Sequence, residues 1–308
     1  MWFKQIQLFQ LTDSLRDSPE KFTEKLEPLA FRPCLPSMFS SAGWVSPIDE
    51  VGAPLVRTIN GRMMLCLQIE EKILPAMVIR QALMEKIKKI ELEESRKVYQ
   101  KEKLSLKDEI IITLLPKAFS KLTHVHAYID TQNQWLVMGT NNAKKIEQFL
   151  SMFKKSISEN VHPFELDKLS PIMTLWLKKQ SLSTSFSIEK SCVLQDADQQ
   201  SRVIRCQQQN LFASSIQSLL NDGCAVKQLA LCWHDQIQFI LADHFSLSGL
   251  KYQDQIVAQA GEMEAETKQQ QFDADFLIMT GMLSNLLKDL LGVLIEPVKE
   301  AKQVMETV

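Results

Sequence analysis

The chain has 308 residues, 45% of them apolar and 23% charged, with a formal net charge of −2 at pH 7. This allows a substantial core and a length of about two domains, and it argues against extended disorder. The near-zero net charge excludes a molecule that attracts nucleic acid as a whole, so any DNA or RNA surface must be built by gathering basic residues on one side.

The opening "WFKQIQLFQL" alternates Ile6 and Leu8 against Gln5 and Gln7, which predicts a strand. Ser18-Pro19 supplies a helix N-cap and a first-turn proline, and Phe22, Leu26 and Leu29 follow at amphipathic helical spacing. The stretch from Pro33 to Pro54 reads as loops with short strand pieces. In "RTINGRMMLCLQI", Asn60-Gly61 between two apolar runs predicts a hairpin.

A different composition follows "EEKILP". Ile79, Leu83, Ile87 and Ile90 fall within about an 80° arc of a helix. Beyond Glu91 that stripe fades into charge, which predicts a helix leaving the core, with a second short helix around 106 to 114 bringing the chain back. This is a helical arm. "HVHAYIDTQNQWLVMGTNNAKKIEQFLSMFKKSI" then reads as strand, turn, strand, helix. "VIRCQQQNLF" and "KQLALCWHDQIQFILAD" add strands, the latter turning near His234-Asp235-Gln236. Phe272, Phe276, Met279, Leu283, Leu286 and Leu290, spaced 4, 3, 4, 3, 4, predict a long C-terminal helix with one apolar seam, open to either core packing or a subunit interface.

Strand pairs interleaved with helices, without regular βαβ spacing, give an α+β fold class with mixed antiparallel sheets, packed helices and a projecting helical arm. The expected organisation is an N-terminal α+β region over 1–75, the arm over 76–122, and a C-terminal α+β region over 123–308 packed with the first. No run is expected to cross a membrane. The N-terminus lacks the pattern of a secretory leader, and a cytoplasmic location is expected. The six cysteines, with no C-x-x-C among them, read as small buried hydrophobes rather than a disulfide framework.

The familiar catalytic signatures are missing. With nine glycines the chain has no G-x-x-x-x-G-K-[ST] and no G-x-G-x-x-G, and it lacks G-x-S-x-G and H-E-x-x-H. His124 and His126 on a strand would share one face, but no further metal ligand follows at familiar spacing. Asp273 and Asp275, two apart on a helix, face about 200° from one another and cannot chelate one ion together. As first-turn carboxylates they are explained by the helix dipole. No metal and no cofactor is expected.

Charge is unevenly spread. Lys72 to Lys121 holds twelve basic against seven acidic residues, whereas Asp235 to the end holds five basic against twelve acidic. This polarity suits one basic surface for a polyanion; the alternative is a solvated helix laced with i, i+4 pairs such as Glu85–Lys89 and Glu93–Lys97. Phe119, between Lys117 and Lys121, is open to either a partner contact or a core role.

Several blocks together resemble a known family: "WFKQIQLFQL", "LAFRPC", "GWVSP", "EEKILPAMVIRQAL", "LKDEIIITLLPKAFS", "KQLALCW" and "FDADFLIMTG". The chain resembles the recombination-associated protein RdgC family from residue 2 to about residue 291. The resemblance implies a nucleoid-associated, non-enzymatic protein that closes into a ring-shaped homodimer around double-stranded DNA. It would bind without marked sequence preference and restrain the RecA recombinase by occupying the DNA it needs. Single-stranded DNA is a second candidate ligand. Candidate DNA-binding residues, chosen by charge and position, are Lys86, Lys89, Lys97, Lys117, Lys121, Arg202, Arg205 and Lys227; candidate dimer contacts are Phe119, Phe276 and Leu283. Where family members carry lysines after "VIR", this chain has Cys206-Gln207-Gln208-Gln209. Glutamine donates to phosphate oxygens but releases no counterion. Two other readings stand beside this one: a metal-dependent nuclease using Asp273, Asp275, His124 and His126, and a regulator whose arm binds another protein.

Overall fold

A computed structural model describes residues 1–12, 18–48, 50, 52–157, 160–164, 166, 169–196, 201–262 and 267–306. The chain runs β1 (Gln5–Leu11), α1 (Pro19–Leu26), β2 (Ser40–Val45), β3 (Val56–Ile59), β4 (Arg62–Ile73), α2 (Ala76–Glu93), α3 (Gln100–Leu114), β5 (Phe119–Asp130), β6 (Trp135–Met138) and α4 (Ala143–Ile157). It continues through β7 (Val161–Pro163), α5 (Leu169–Lys179), β8 (Phe186–Gln195), β9 (Val203–Cys206), α6 (Ser214–Asn221), β10 (Ala225–Trp233), β11 (Ile237–Ala242), β12 (Ser246–Tyr252), α7 (Asp254–Glu262) and α8 (Lys268–Glu306).

All twelve strands join one open sheet in the order β2-β4-β5-β6-β1-β12-β11-β10-β8-β9, with β3 added to β4 and β7 to β1. Every strand pairing among the described residues is antiparallel. The fold is therefore α+β, with one sheet where several were expected. The first strand sits in the middle, between β6 and β12, and joins the two halves. Local patterning cannot specify such a pairing, because the partners lie far away in sequence.

Side chains alternate across a strand, and β1 shows the consequence. Ile6 and Leu8 enter a large core that includes Leu229, Leu231, Ile237 and Phe239 and is closed by α5, α6 and α8. Phe9 and Leu11 enter a second core on the opposite face, closed by Phe22 and Leu26 of α1 and Phe149 and Phe153 of α4. Helices α1 and α4 cover only the β1–β6 half of that face. The β8–β12 half has no cluster of buried side chains on it among the described residues.

The hairpins fall where the turn residues place them. Asn60 (φ 47°) and Gly61 (φ 71°) take the left-handed conformations of a tight hairpin turn between β3 and β4, and His234 and Asp235 (φ 46° and 56°) do the same between β10 and β11.

The apolar seam of α8 is core. Phe276 and Leu283, expected as partner contacts, are 1% and 0% exposed, and Phe276 meets Tyr128 edge-on at 6.2 Å. Their surface is spent inside the subunit, so neither offers anything to a second copy. Residues 268–294 are also long and apolar enough by composition to span a bilayer, contrary to expectation. Half of the most apolar window is buried in the fold, and the core's demand for leucine accounts for that composition.

The arm departs from expectation in two ways. Helix α2 has no buried residue, so its Ile79, Leu83, Ile87 and Ile90 stripe never enters the core. The helix packs against α3 instead. Helix α3 also starts at Gln100, well before the expected 106. Arg96 fastens this turn by a fork onto Glu102 (2.6 and 2.7 Å) and by a bond to Glu94 at 2.5 Å. Because Ser95 adopts φ 50° and α2 ends at Glu93, Lys97 lies past the helix and the expected Glu93–Lys97 pair does not form. Lys89 turns to Glu93 instead, at 3.8 Å.

Candidate nucleic-acid interface

The arm is the connection of a long β-hairpin. Strands β4 and β5 pair at every position from Arg62↔Asp130 to Ile73↔Phe119, and the α2–α3 excursion sits at the open end. Strand β6 pairs with β5 only over Ala127–Asp130. Residues 119–126 therefore run beyond β6 in a ribbon edged on its other side by β2, which pairs with β4 over Cys66–Glu71, and the arm follows at its end. Phe119, at its end, is 85% exposed.

The candidate cations separate into two groups of four. Lys86 is held by Glu109 across the arm at 2.7 Å, Lys89 by Glu93, Arg202 by Asp196 at 3.5 Å, and Lys227 by Asp243 at 2.9 Å. Burial opposes ionisation of Asp243, but hydrogen bonds and charge from Lys227 and His244 prevail and hold its carboxyl below the ordinary range. Lys97, Lys117, Lys121 and Arg205 are exposed and make no ion pair among the described residues. A cation already neutralised from within gains less from a phosphate than one facing only water. The second group is the better equipped to bind a polyanion.

Strand parity sets where these side chains point. On β5, Val125, Ala127 and Ile129 face the α1–α4 side, and Lys121 shares their parity. On β9, Cys206 is buried in the opposite core, so its neighbour Arg205 faces the α1–α4 side too. Lys121 and Arg205 therefore project from one face of the sheet, at strands seven steps apart in its order, or roughly 30 Å along a sheet of that width. Among the described residues, Arg205 lines a recess without any other candidate cation beside it. The candidate cations mark an extended surface.

The uncovered β8–β12 half of the sheet adjoins Arg205, while α1 and α4 stand on the same face over the strands nearer Lys121. Arg205 stands opposite Val193, Val193 opposite Gln228, and Gln228 opposite Ala242, forming one cross-strand row. Arg205, Gln207 and Gln228 line a shallow recess of about 160 Å³ with Ser191, Val193 and Ile240. Sequence reading missed this face. The signal was present as polar residues at one parity of apolar strands, Gln228 in "KQLALCW" and Gln238 in "QIQFILA". Its meaning depended on knowing which face the helices leave bare.

The proposed metal ligands are not assembled. Asp273 accepts from Arg57 Nε at 2.8 Å and from Arg57 Nη2. Asp275, on another side of α8, pairs with the Met1 ammonium and accepts from Trp2 Nε1 at 3.1 Å. His124 and His126 do share a face, with ring centroids 6.3 Å apart, and His124 Nε2 lies 2.9 Å from Gln68 Oε1. Burial first, then the charges of His124 and the N-terminal ammonium, push the His126 imidazole down to about 4, so it is neutral at physiological pH. Among the described residues no group of three or more His, Cys, Asp or Glu side chains could hold a metal ion.

These features define an open-sheet α+β protein with a charged helical hairpin carried at the tip of a β-ribbon. The chain belongs to the RdgC family: residues 1–296 match the family described as "Putative exonuclease, RdgC". Similar curated proteins carry the name "Recombination-associated protein RdgC". The one from Proteus mirabilis (strain HI4320) is 35% identical over 296 residues, covering 96% of this chain and 98% of that protein. The one from Yersinia pestis (strain Pestoides F) is 36% identical over the same shares. The family description and the names of its members thus point to different activities, degradation in one case and recombination in the other.

Proposed function

We propose that this chain is a sequence-nonspecific double-stranded DNA-binding protein that encircles DNA as a dimer and modulates recombination by limiting RecA access. The observation that carries the reading is the shared face of Lys121 and Arg205, both exposed and in no ion pair among the described residues, in a chain whose relatives are named for recombination. Cations spread over a wide face neutralise phosphates without reading bases, so sequence discrimination is weak. A ring needs two contacts per subunit. The ribbon end at Phe119 supplies an exposed apolar candidate for one of them. Enclosure would then slow dissociation beyond what the ionic contacts provide. The protein would act in the cytoplasm, at the nucleoid.

A RecA strand-exchange assay tests this reading. Added protein should slow exchange, and excess unrelated duplex should relieve the effect. Inhibition that decoy duplex leaves unchanged would instead mean direct contact with the recombinase. The family description supports a nuclease as the second reading. Labelled duplex incubated with Mg²⁺ or Mn²⁺ should remain intact; cleavage that co-purifies with the protein and stops on chelation of the metal would establish the nuclease.

A further inference from the structure

Strands β8 and β9 place two thiols side by side. Cys192 and Cys206 are direct partners in the antiparallel register, and both are buried in the larger core. Opposed residues of antiparallel strands project to one face with Cα atoms about 4.5–5.5 Å apart, inside the roughly 4.4–6.8 Å that a disulfide spans. All six cysteines are free thiols here, and no other two of them are register partners among the described strands. We propose that Cys192 and Cys206 form a reversible redox site that closes a cross-strand disulfide when a peroxide supplies the oxidant.

The chemistry balances with one peroxide. A thiolate sulfur attacks the O–O bond and becomes a sulfenic acid, and the expelled hydroxide takes up a proton to leave as water. The second sulfur attacks the sulfenic sulfur and expels a second hydroxide, which takes the remaining thiol proton. Two thiols and one hydrogen peroxide give one disulfide and two waters, with two electrons passing from the sulfurs to the peroxide.

The fold governs when this happens. Burial, and then the neighbouring Cys206, push the Cys192 thiol up to about 12, so the closed structure presents almost no thiolate. Strand β9 has only four residues and a single partner strand at the end of the sheet. Such an edge opens locally at a small fraction of the cost of global unfolding. Opening exposes the thiols to oxidant, and closing in register delivers the second sulfur to the first. The resulting bond pins the strand that carries Arg205 to its neighbour. In a reducing cytoplasm the pair rests as thiols, as sensing pairs do.

Exposure of the reduced full-length protein to hydrogen peroxide under native conditions, followed by non-reducing digestion and mass mapping, tests the site. The expected product is a peptide linking Cys192 to Cys206, two hydrogens lighter than its parts and separated again by dithiothreitol. Amides of Val203–Cys206 should exchange more slowly in the oxidised protein. The link should vanish in Cys206→Ser and Cys192→Ser while Cys34, the least buried cysteine, is still oxidised. Wild-type protein in which Cys34 is oxidised but Cys192 and Cys206 stay thiols, or in which Cys206 pairs elsewhere, overturns the proposal. Because that comparison uses the wild-type chain, it decides even if a variant fails to fold.

Discussion

The Arg57 guanidinium grips the Asp273 carboxylate through Nε at 2.8 Å and through Nη2, tying β3 to the start of α8 across 216 residues of sequence. The hydrogen bond to Asp273 is the main reason the Arg57 pKa is raised. One of the two aspartates weighed as metal ligands in the sequence is a structural fastener.

Asp273→Ala should therefore destabilise the fold by about 1–2 kcal/mol, the usual worth of a charge-assisted pair at a partly buried site. Arg57→Ala should cost a similar amount, and the double variant less than the sum of the two. Urea denaturation of the four proteins checks this. Additive losses would mean that the pair contributes nothing as a pair.

The buried seam and the exposed ribbon end should respond oppositely to truncation. Leu283→Ala removes a fully buried side chain and should cost about 2–5 kcal/mol of stability. Phe119→Ala removes an exposed one and should leave the denaturation midpoint nearly unchanged, within about 0.5 kcal/mol. Its expected effect is on subunit association, read as a shift toward monomer in sedimentation. Unchanged association would remove Phe119 from the interface.

How far the sequence was legible follows from which interactions are local. The 4, 3, 4, 3, 4 spacing from Phe272 to Leu290 specifies a helix whatever surrounds it, and Asn60-Gly61 needs only its own backbone to make a turn. Periodicity does not name a partner, which is why the Ile79–Ile90 stripe could be read toward the core when it packs on α3. The bare face bearing Arg205 and Gln228 is less legible still. It exists because β1 inserts between β6 and β12 while α1 and α4 cover one half only, and no local pattern encodes that arrangement.

His126 adds a pH dependence. Its folded-state pKa is about 4 against an ordinary value of 6.5, so the unfolded chain binds more protons between those values and stability falls as pH falls through that window. The loss amounts to no more than about 3–4 kcal/mol. His126→Gln, neutral throughout, should flatten this segment of a stability-versus-pH curve. A curve identical to wild type would mean that another group is responsible.

The division of the cations into those with and those without an ion pair among the described residues predicts unequal effects on DNA. Replacing Lys121 or Arg205 by alanine should lower the salt slope by about 0.9 for each phosphate left without its cation. Replacing Lys86 or Lys227, each already held by a carboxylate, should lower it less. Charge reversal at Lys117 and Lys121 together should weaken binding to every duplex alike. Equal slopes for the two sets would show that the internal carboxylates yield to DNA.

The most direct test of DNA enclosure by a dimer is a titration of two unrelated duplexes across a salt series, combined with a mass measurement of the free protein in solution. The expected result is similar affinity for both duplexes, a steep linear fall in log affinity with log salt, and the mass of a dimer. Affinity that holds constant across the salt series, or a protein that is monomeric when free, would contradict it.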